Sequence, residues 1–380
     1  MMTDEKNLQH RMILEQLLAR ASDEDALSAE NESLKQQLAE TLSALEQQND
    51  PSAKEAEDDL LAGDPEKAKA IFRERAEAHE NVARKAAISA AREYRYHGEF
   101  MFYSDTQEAL GAYRRATELD PKNTDGWNQL GHLLDRVGEI DGAMEAYQQV
   151  LEIGEMANDQ ELIAIASGNL GNLFETRGEL DDAEVMFKRS LKIDEKLGRK
   201  EGMASNFGDL GNLYAKRGDL DNAEEMYKKS LEIDEELGRK EGMANQYGNL
   251  GNLYFTRGNL DDAEEMYKKS LEIDEELGRK EGMAVVYGNL GNLYFTRGDL
   301  DDAEVMYKKS LKIEKELGRK EGTATDYANL GNLYATRGDL DTAISYWTKS
   351  LTLAREMGAA PLVQQVESIF TNHNLDIPKG

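Results

Sequence analysis

From residue 168 onward the chain repeats one sentence of forty residues. GNLGNLF at Gly168–Phe174 returns as GDLGNLY at Gly208, as GNLGNLY at Gly248 and Gly288, and as ANLGNLY at Ala328. LGRKEG recurs at Leu197, Leu237, Leu277 and Leu317. A fixed period of this size marks a solenoid, in which each repeat buries its apolar face only against its neighbours. Such a chain builds a long surface, so the expectation is a binding scaffold and not an enzyme.

The residues of one repeat dictate two helices. In the repeat from Arg239, Tyr247, Leu250, Gly251 and Tyr254 fall on one face of a first helix, and Gly258 ends it in a left-handed cap. Gly251 has no side chain, which lets the second helix come close. There Ala263, Met266, Tyr267, Ser270, Leu271 and Leu277 make the complementary stripe, and Gly278 closes it. No strand pattern occurs, and five prolines among 380 residues fit an all-helical chain.

Composition excludes several functions. A net charge of −29 argues against nucleic acid and against an anionic membrane surface. With no cysteine there is no thiolate chemistry, disulfide or cysteine-ligated zinc. No stretch approaches the roughly 20 apolar residues of a membrane helix, the opening MMTDEKNLQH has no apolar signal core, and a cytoplasmic location is expected. His10, His79, His97, His132 and His373 are scattered, with no pair at metal-ligand spacing. The glycines of GNLGNLYFTRG lie within a helix, follow no strand and lack the Gly-Lys-Ser/Thr ending of a phosphate loop. No catalytic site, cofactor or metal is expected.

The chain resembles the tetratricopeptide repeat family. Trp127-x-x-Leu130-Gly131 followed by Ala143-x-x-x-Tyr147 has that spacing, and Ala109-x-x-x-Tyr113, Ala116 and Pro121 complete the preceding repeat. From Ala143 the small residues recur 40 apart at Ala183, Ala223, Ala263, Ala303 and Ala343. The 40-residue form is similar to the repeats of LGN/Pins-type spindle-orientation adaptors and kinesin light chains, both peptide-binding adaptors. It departs in replacing the closing proline by Glu155, Glu195, Glu235, Glu275 and Lys315. The resemblance implies an all-α solenoid of antiparallel helix pairs in a right-handed superhelix. The sequence divides into a helical or coiled-coil region (1–50), a degenerate repeat-like segment (51–97), the array (98–358), and a capping helix and tail (359–380).

Within 1–50, Leu27, Asn31, Leu34, Leu38, Thr41 and Leu45 form a short heptad seam. It serves either to form a homodimer through residues 23–48 or to fold back as a helical hairpin. The aromatic insertion Phe100-Met101-Phe102-Tyr103 lengthens a loop and either plugs the first repeat or meets a ligand.

A second stripe on the first helix is free of packing duty, and in this family it lines the concave wall. Asn172, Asn212, Asn252, Asn292 and Asn332 recur on it, flanked by Asn169, Asn249, Asn289 and Asn329, with Asp209 the exception. A carboxamide both donates and accepts, so such a ladder can hold the backbone of an extended peptide. Phe255 and Phe295 add apolar anchors. The same asparagines can instead bridge helices within the array. Charge in the repeat from Arg239 divides unevenly. The first helix has Arg239, Lys240 and Arg257 against Glu241, whereas the second carries most of the acid. The expected partner is therefore a neutral or acidic protein segment in the groove. The alternative is an assembly protein that self-associates through its coil and array ends.

Overall fold

The computed structural model describes Glu55, residues 65–373 and residues 375–378. The heptad seam and the dimer expected from it lie outside the described residues. Fifteen helices and no strand are found among those described. The chain falls into two compact units, Met1–Gly126 and Trp127–Gly380.

In the first unit, α1 (Pro65–Met101) packs against α2 (Thr106–Leu119). Ala109, Leu110 and Tyr113 are buried, and Tyr113 lies over Gly98, where a Cβ would stand 2.9 Å from the ring. α1 runs unbroken through position 97. Phe100 and Met101 of the insertion end this helix, and Phe102 and Tyr103 open a short corner capped by Asp105, whose carboxylate accepts from the Glu108 amide. Phe100 and Tyr103 are 80% and 87% exposed and so do not plug the repeat.

The second unit is a stack of helix pairs in a solenoid-like arrangement. First helices are α3 (Thr124–Arg136), α5 (Gln160–Thr176), α7 (Lys200–Lys216), α9 (Lys240–Thr256), α11 (Lys280–Arg297) and α13 (Lys320–Thr336). Each is followed by a second helix: α4 (Ile140–Ala157), α6 (Leu180–Leu197), α8 (Leu220–Leu237), α10 (Leu260–Leu277), α12 (Leu300–Glu316) and α14 (Leu340–Met357). The last helix, α15 (Ala360–Asn372), lays Val366 and Phe370 on Trp347 and Leu351 of α14.

Two contacts set each pair. The glycine of the GNLGN phrase faces the aromatic residue of the second helix, and a Cβ on Gly251 would meet the Tyr267 ring at 2.5 Å. In three pairs the serine three residues after that aromatic, Ser190, Ser230 or Ser270, is buried and donates to a first-helix carbonyl, as Ser270 does to Ala244 at 2.8 Å. Left-handed glycines turn the chain at both corners, with φ of 78° at Gly258 and 67° at Gly278.

Neighbouring repeats are joined by ionic clamps on the second helices. Glu264 accepts from the Tyr294 hydroxyl at 2.8 Å, from Lys268 at 2.6 Å, and from Arg297. Burial disfavours its charge, but these donors outweigh burial and hold its carboxyl at about 2. Glu264 is therefore a structural clamp, not the solvated outer charge that its place on an acidic helix suggests.

Asp274 also departs from the outward acidic face. With Asp194, Asp234 and Glu314 it is buried, and burial raises all four carboxyls against the lowering pull of Arg279, Arg199, Arg239 and Arg319. Leu277, read as part of the apolar stripe, is 43% exposed at the corner.

Candidate functional site

The GNLGN phrase puts two asparagines three residues apart on each first helix, and the structure gives them different partners. Asn212, Asn252 and Asn292 accept from the hydroxyls of Tyr227, Tyr267 and Tyr307 at 2.9, 2.7 and 2.8 Å. Asn332 accepts from the Trp347 indole at 3.0 Å. His132, in the same register, meets the Tyr147 hydroxyl at 2.9 Å. Asn172 faces Phe187, which has no hydroxyl to donate. This row therefore satisfies a buried aromatic hydroxyl or indole within its own repeat, as a buried donor requires.

The second row ties one repeat to the previous one. Asn289 donates to Asn252 at 3.1 Å, Asn249 to Asn212 at 3.4 Å, and Asn169 to Asn128 at 3.1 Å. The Asn252 carbonyl thereby uses both lone pairs, while its two amide protons and the Asn289 carbonyl make no further bond among the described residues. Asp209 interrupts the row, and burial, with the charge of Glu175 adding, pushes its carboxyl up to about 7.

A cavity of about 580 Å³ runs along this wall over α7, α9 and α11. Asn212, Asn249, Asn252 and Asn289 line it. Asn169, Asn172, Asn292, Asn329, Asn332, Phe255 and Phe295 do not. Phe255 packs against the cluster of Leu290 and Leu293, and Phe295 against that of Leu330 and Leu333.

The cations of the first helix are also unequally available. Arg257 is engaged by Glu224 and Asp221, and Lys240 by Glu276. Only Arg239 of the three lines the cavity, in a row with Arg279 and Arg319. Arg319 is the most open of that row, its side chain 42% exposed and 3.5 Å from Glu314.

The sequence reading missed Gln246, Val285 and Val286, which also line the cavity. Their signal lies in the differences between repeats. Residues 239–258 and 279–298 are identical except at 245 and 246, where Asn-Gln becomes Val-Val. Among the described residues no cluster of acids and histidines could hold a metal ion. No described helix is long and apolar enough to cross a membrane.

Paired helices repeating through a stack, with a polar groove along the first-helix wall, define a helical-repeat protein. Comparison with known proteins gives the family: the Tetratricopeptide repeat model matches residues 125–196, 202–276 and 282–356, and a second of the same description matches 88–158. The chain belongs to the tetratricopeptide repeat family, a membership that supports a protein-interaction scaffold role. No curated protein sequence matches it.

Solved structures share the fold. The apo form of RapI is 16% identical, with a TM-score of 0.58, over 71% of this chain and 99% of that one. A signal transduction ATPase with numerous domains and a tetratricopeptide repeat sensor, from Pyrococcus horikoshii, is 20% identical, with a TM-score of 0.57. That match covers 73% of this chain and 42% of that one. The APC/C hetero-tetramer Cut9-Hcn1 gives 17% identity and a TM-score of 0.51 over 73% of this chain and 49% of that one.

Proposed function

We propose that the chain is a non-enzymatic interaction scaffold that holds an extended, neutral or acidic segment of a partner protein along the first-helix wall. The observation that carries this reading is the hydrogen-bonding capacity left over in the ladder. Asn252 keeps two amide donors and Asn289 keeps its carbonyl acceptor, side by side in the cavity. A peptide backbone offers the complementary pair at every residue, whatever its side chains. Arg239, Arg279 and Arg319 lie within 3.5 Å of Asp234, Asp274 and Glu314, and Asp209, Asp234, Asp274 and Glu281 share the lining. The wall is therefore close to neutral and suits a neutral segment, with Arg319, the most open of the three, the place for an acidic group. On this reading Asn169, Asn172, Asn292, Asn329 and Asn332 extend the same contact beyond the cavity, and Phe255 and Phe295 border it with their half-buried rings.

The test separates the two rows. Asn249→Ala, Asn289→Ala and Asn329→Ala together spare every tyrosine hydroxyl, so the fold should persist. Segments selected from a displayed library of short linear peptides should bind this triple variant about 1.5–4.5 kcal/mol more weakly, three neutral hydrogen bonds being worth about 0.5–1.5 kcal/mol each. Glu265, paired among the described residues with Lys269 across one helical turn, is the control: Glu265→Lys should leave binding nearly unchanged. Silent asparagine changes with a damaging Glu265 change would place the binding surface elsewhere.

A further inference from the structure

Repeats 239–258 and 279–298 have the same eighteen residues outside positions 245 and 246, so within the two first helices themselves only those two positions differ. Both positions in both repeats line the cavity. Across the array the pair reads Ser205-Asn206, Asn245-Gln246, Val285-Val286 and Thr325-Asp326: polar, amide, aliphatic, then acidic. The first residue of each pair is exposed and the second buried.

The aliphatic pair changes shape as well as polarity. Gln246 reaches back over Gly208 of the preceding first helix, where a Cβ would stand 2.9 Å from its amide nitrogen. Val286 is too short to cover Gly248 in the same way, and the nearest atom to a Cβ there is the Ser270 hydroxyl at 3.6 Å. Val285 is 52% exposed in a cavity otherwise rich in amides, carboxylates and arginines. A recess with a glycine floor and a two-valine wall thus opens in one repeat and is filled by an amide in the one before it.

We propose that this recess takes a single aliphatic side chain of the bound segment, so that Val285, Val286 and Gly248 fix the register of an otherwise polar extended peptide. The inference rests on the peptide-groove reading above. Hydrogen bonds from side-chain amides to a backbone hold any sequence equally, and one aliphatic recess in the polar cavity removes that degeneracy: within the cavity an aliphatic group gains most by leaving water there.

The chain supplies its own controls. Val285→Asn with Val286→Gln makes residues 279–298 a copy of 239–258, which already folds in the same array. Asn245→Val with Gln246→Val makes the reciprocal copy. Short linear segments are selected from a displayed library on full-length wild type and on both variants, and the aligned selections are compared. Wild type should select segments with Leu, Ile or Val at one position, and exchanging that residue for Ala should weaken binding at least about tenfold. On Val285→Asn/Val286→Gln the aliphatic position should vanish and the Ala penalty should fall below about twofold. On Asn245→Val/Gln246→Val a second aliphatic position should appear. Selected segments whose aliphatic content is the same on all three proteins would overturn this inference and leave the groove reading standing. Failure to select any segment on any of the three would overturn both.

Discussion

Replacing Asn252 by Ala removes the acceptor for the Tyr267 hydroxyl, 2.7 Å away, on a ring that is 2% exposed. It also removes the acceptor for the Asn289 amide at 3.1 Å. The Asn289 amide can turn to solvent, but the tyrosine hydroxyl is fixed by its buried ring, and stranding it costs about 1–3 kcal/mol. Asn172→Ala is the matched control. The ring opposite it is Phe187, with no hydroxyl to strand, so only the better helix propensity of Ala remains, a gain of at most about 0.7 kcal/mol. Because stability in an array is local, the assay is amide hydrogen exchange across α9 and α10 against α5 and α6, not a single melting temperature. Exchange in α9 and α10 should accelerate roughly 5- to 150-fold in Asn252→Ala, with no acceleration in α5 and α6 of Asn172→Ala. Equal effects at the two sites would refute the assignment of this asparagine row to the aromatic hydroxyls.

Three further outcomes are expected. Gly251→Ala should destabilise α9 and α10 by about 1–3 kcal/mol, since its Cβ would meet Tyr267 at 2.5 Å, whereas Gly248→Ala, with nothing nearer than 3.6 Å, should be tolerated; hydrogen exchange on both distinguishes them. Burial, with the charge of Glu314 adding, pushes Asp326 up to about 7. The native state therefore holds this proton more tightly than the unfolded chain, and stability should rise as pH falls from about 7 toward about 4. Asp209 is shifted to about 7 in the same direction, so Asp326→Asn should reduce that slope in denaturation followed across this range and leave the share of Asp209, and an unchanged slope would contradict it. Glu264 has the opposite sign. Its stabilisation is complete above the ordinary glutamate range and is lost as pH falls through about 2, so Glu264→Gln should loosen the α10–α11 junction at neutral pH and cease to matter in strong acid, as read by exchange in α11.

The pair of helices, their corners and their closest contact were legible because each rests on a residue type that few others can replace. Gly251 admits an aromatic ring, Gly258 and Gly278 take the left-handed corners, and Ala263 is completely buried. The buried aspartates were legible in principle: Asp274 follows Tyr267 and Ser270 at steps of three and four on the packed stripe. They were passed over because acid was assigned to the solvent face as a class, and because Gly282, which makes room for Asp274, lies on the next helix. The continuous α1 escaped notice for another reason. The boundary at 97 was set by the repeat period alone, and nothing between Ala86 and Tyr96 breaks a helix. At the site, the asparagine ladder was visible as repetition, whereas the recess was hidden in the two positions where repetition fails.

The central claim is that the first-helix wall receives the partner segment. It is tested most directly by hydrogen exchange of the full-length chain with and without a selected peptide. The account predicts protection concentrated in α7, α9 and α11 around the cavity-lining residues, with the second helices changed only around Ser230, Asp234, Ser270 and Asp274, which line the same cavity. Protection confined to the second helices, or none at saturating peptide, would contradict it.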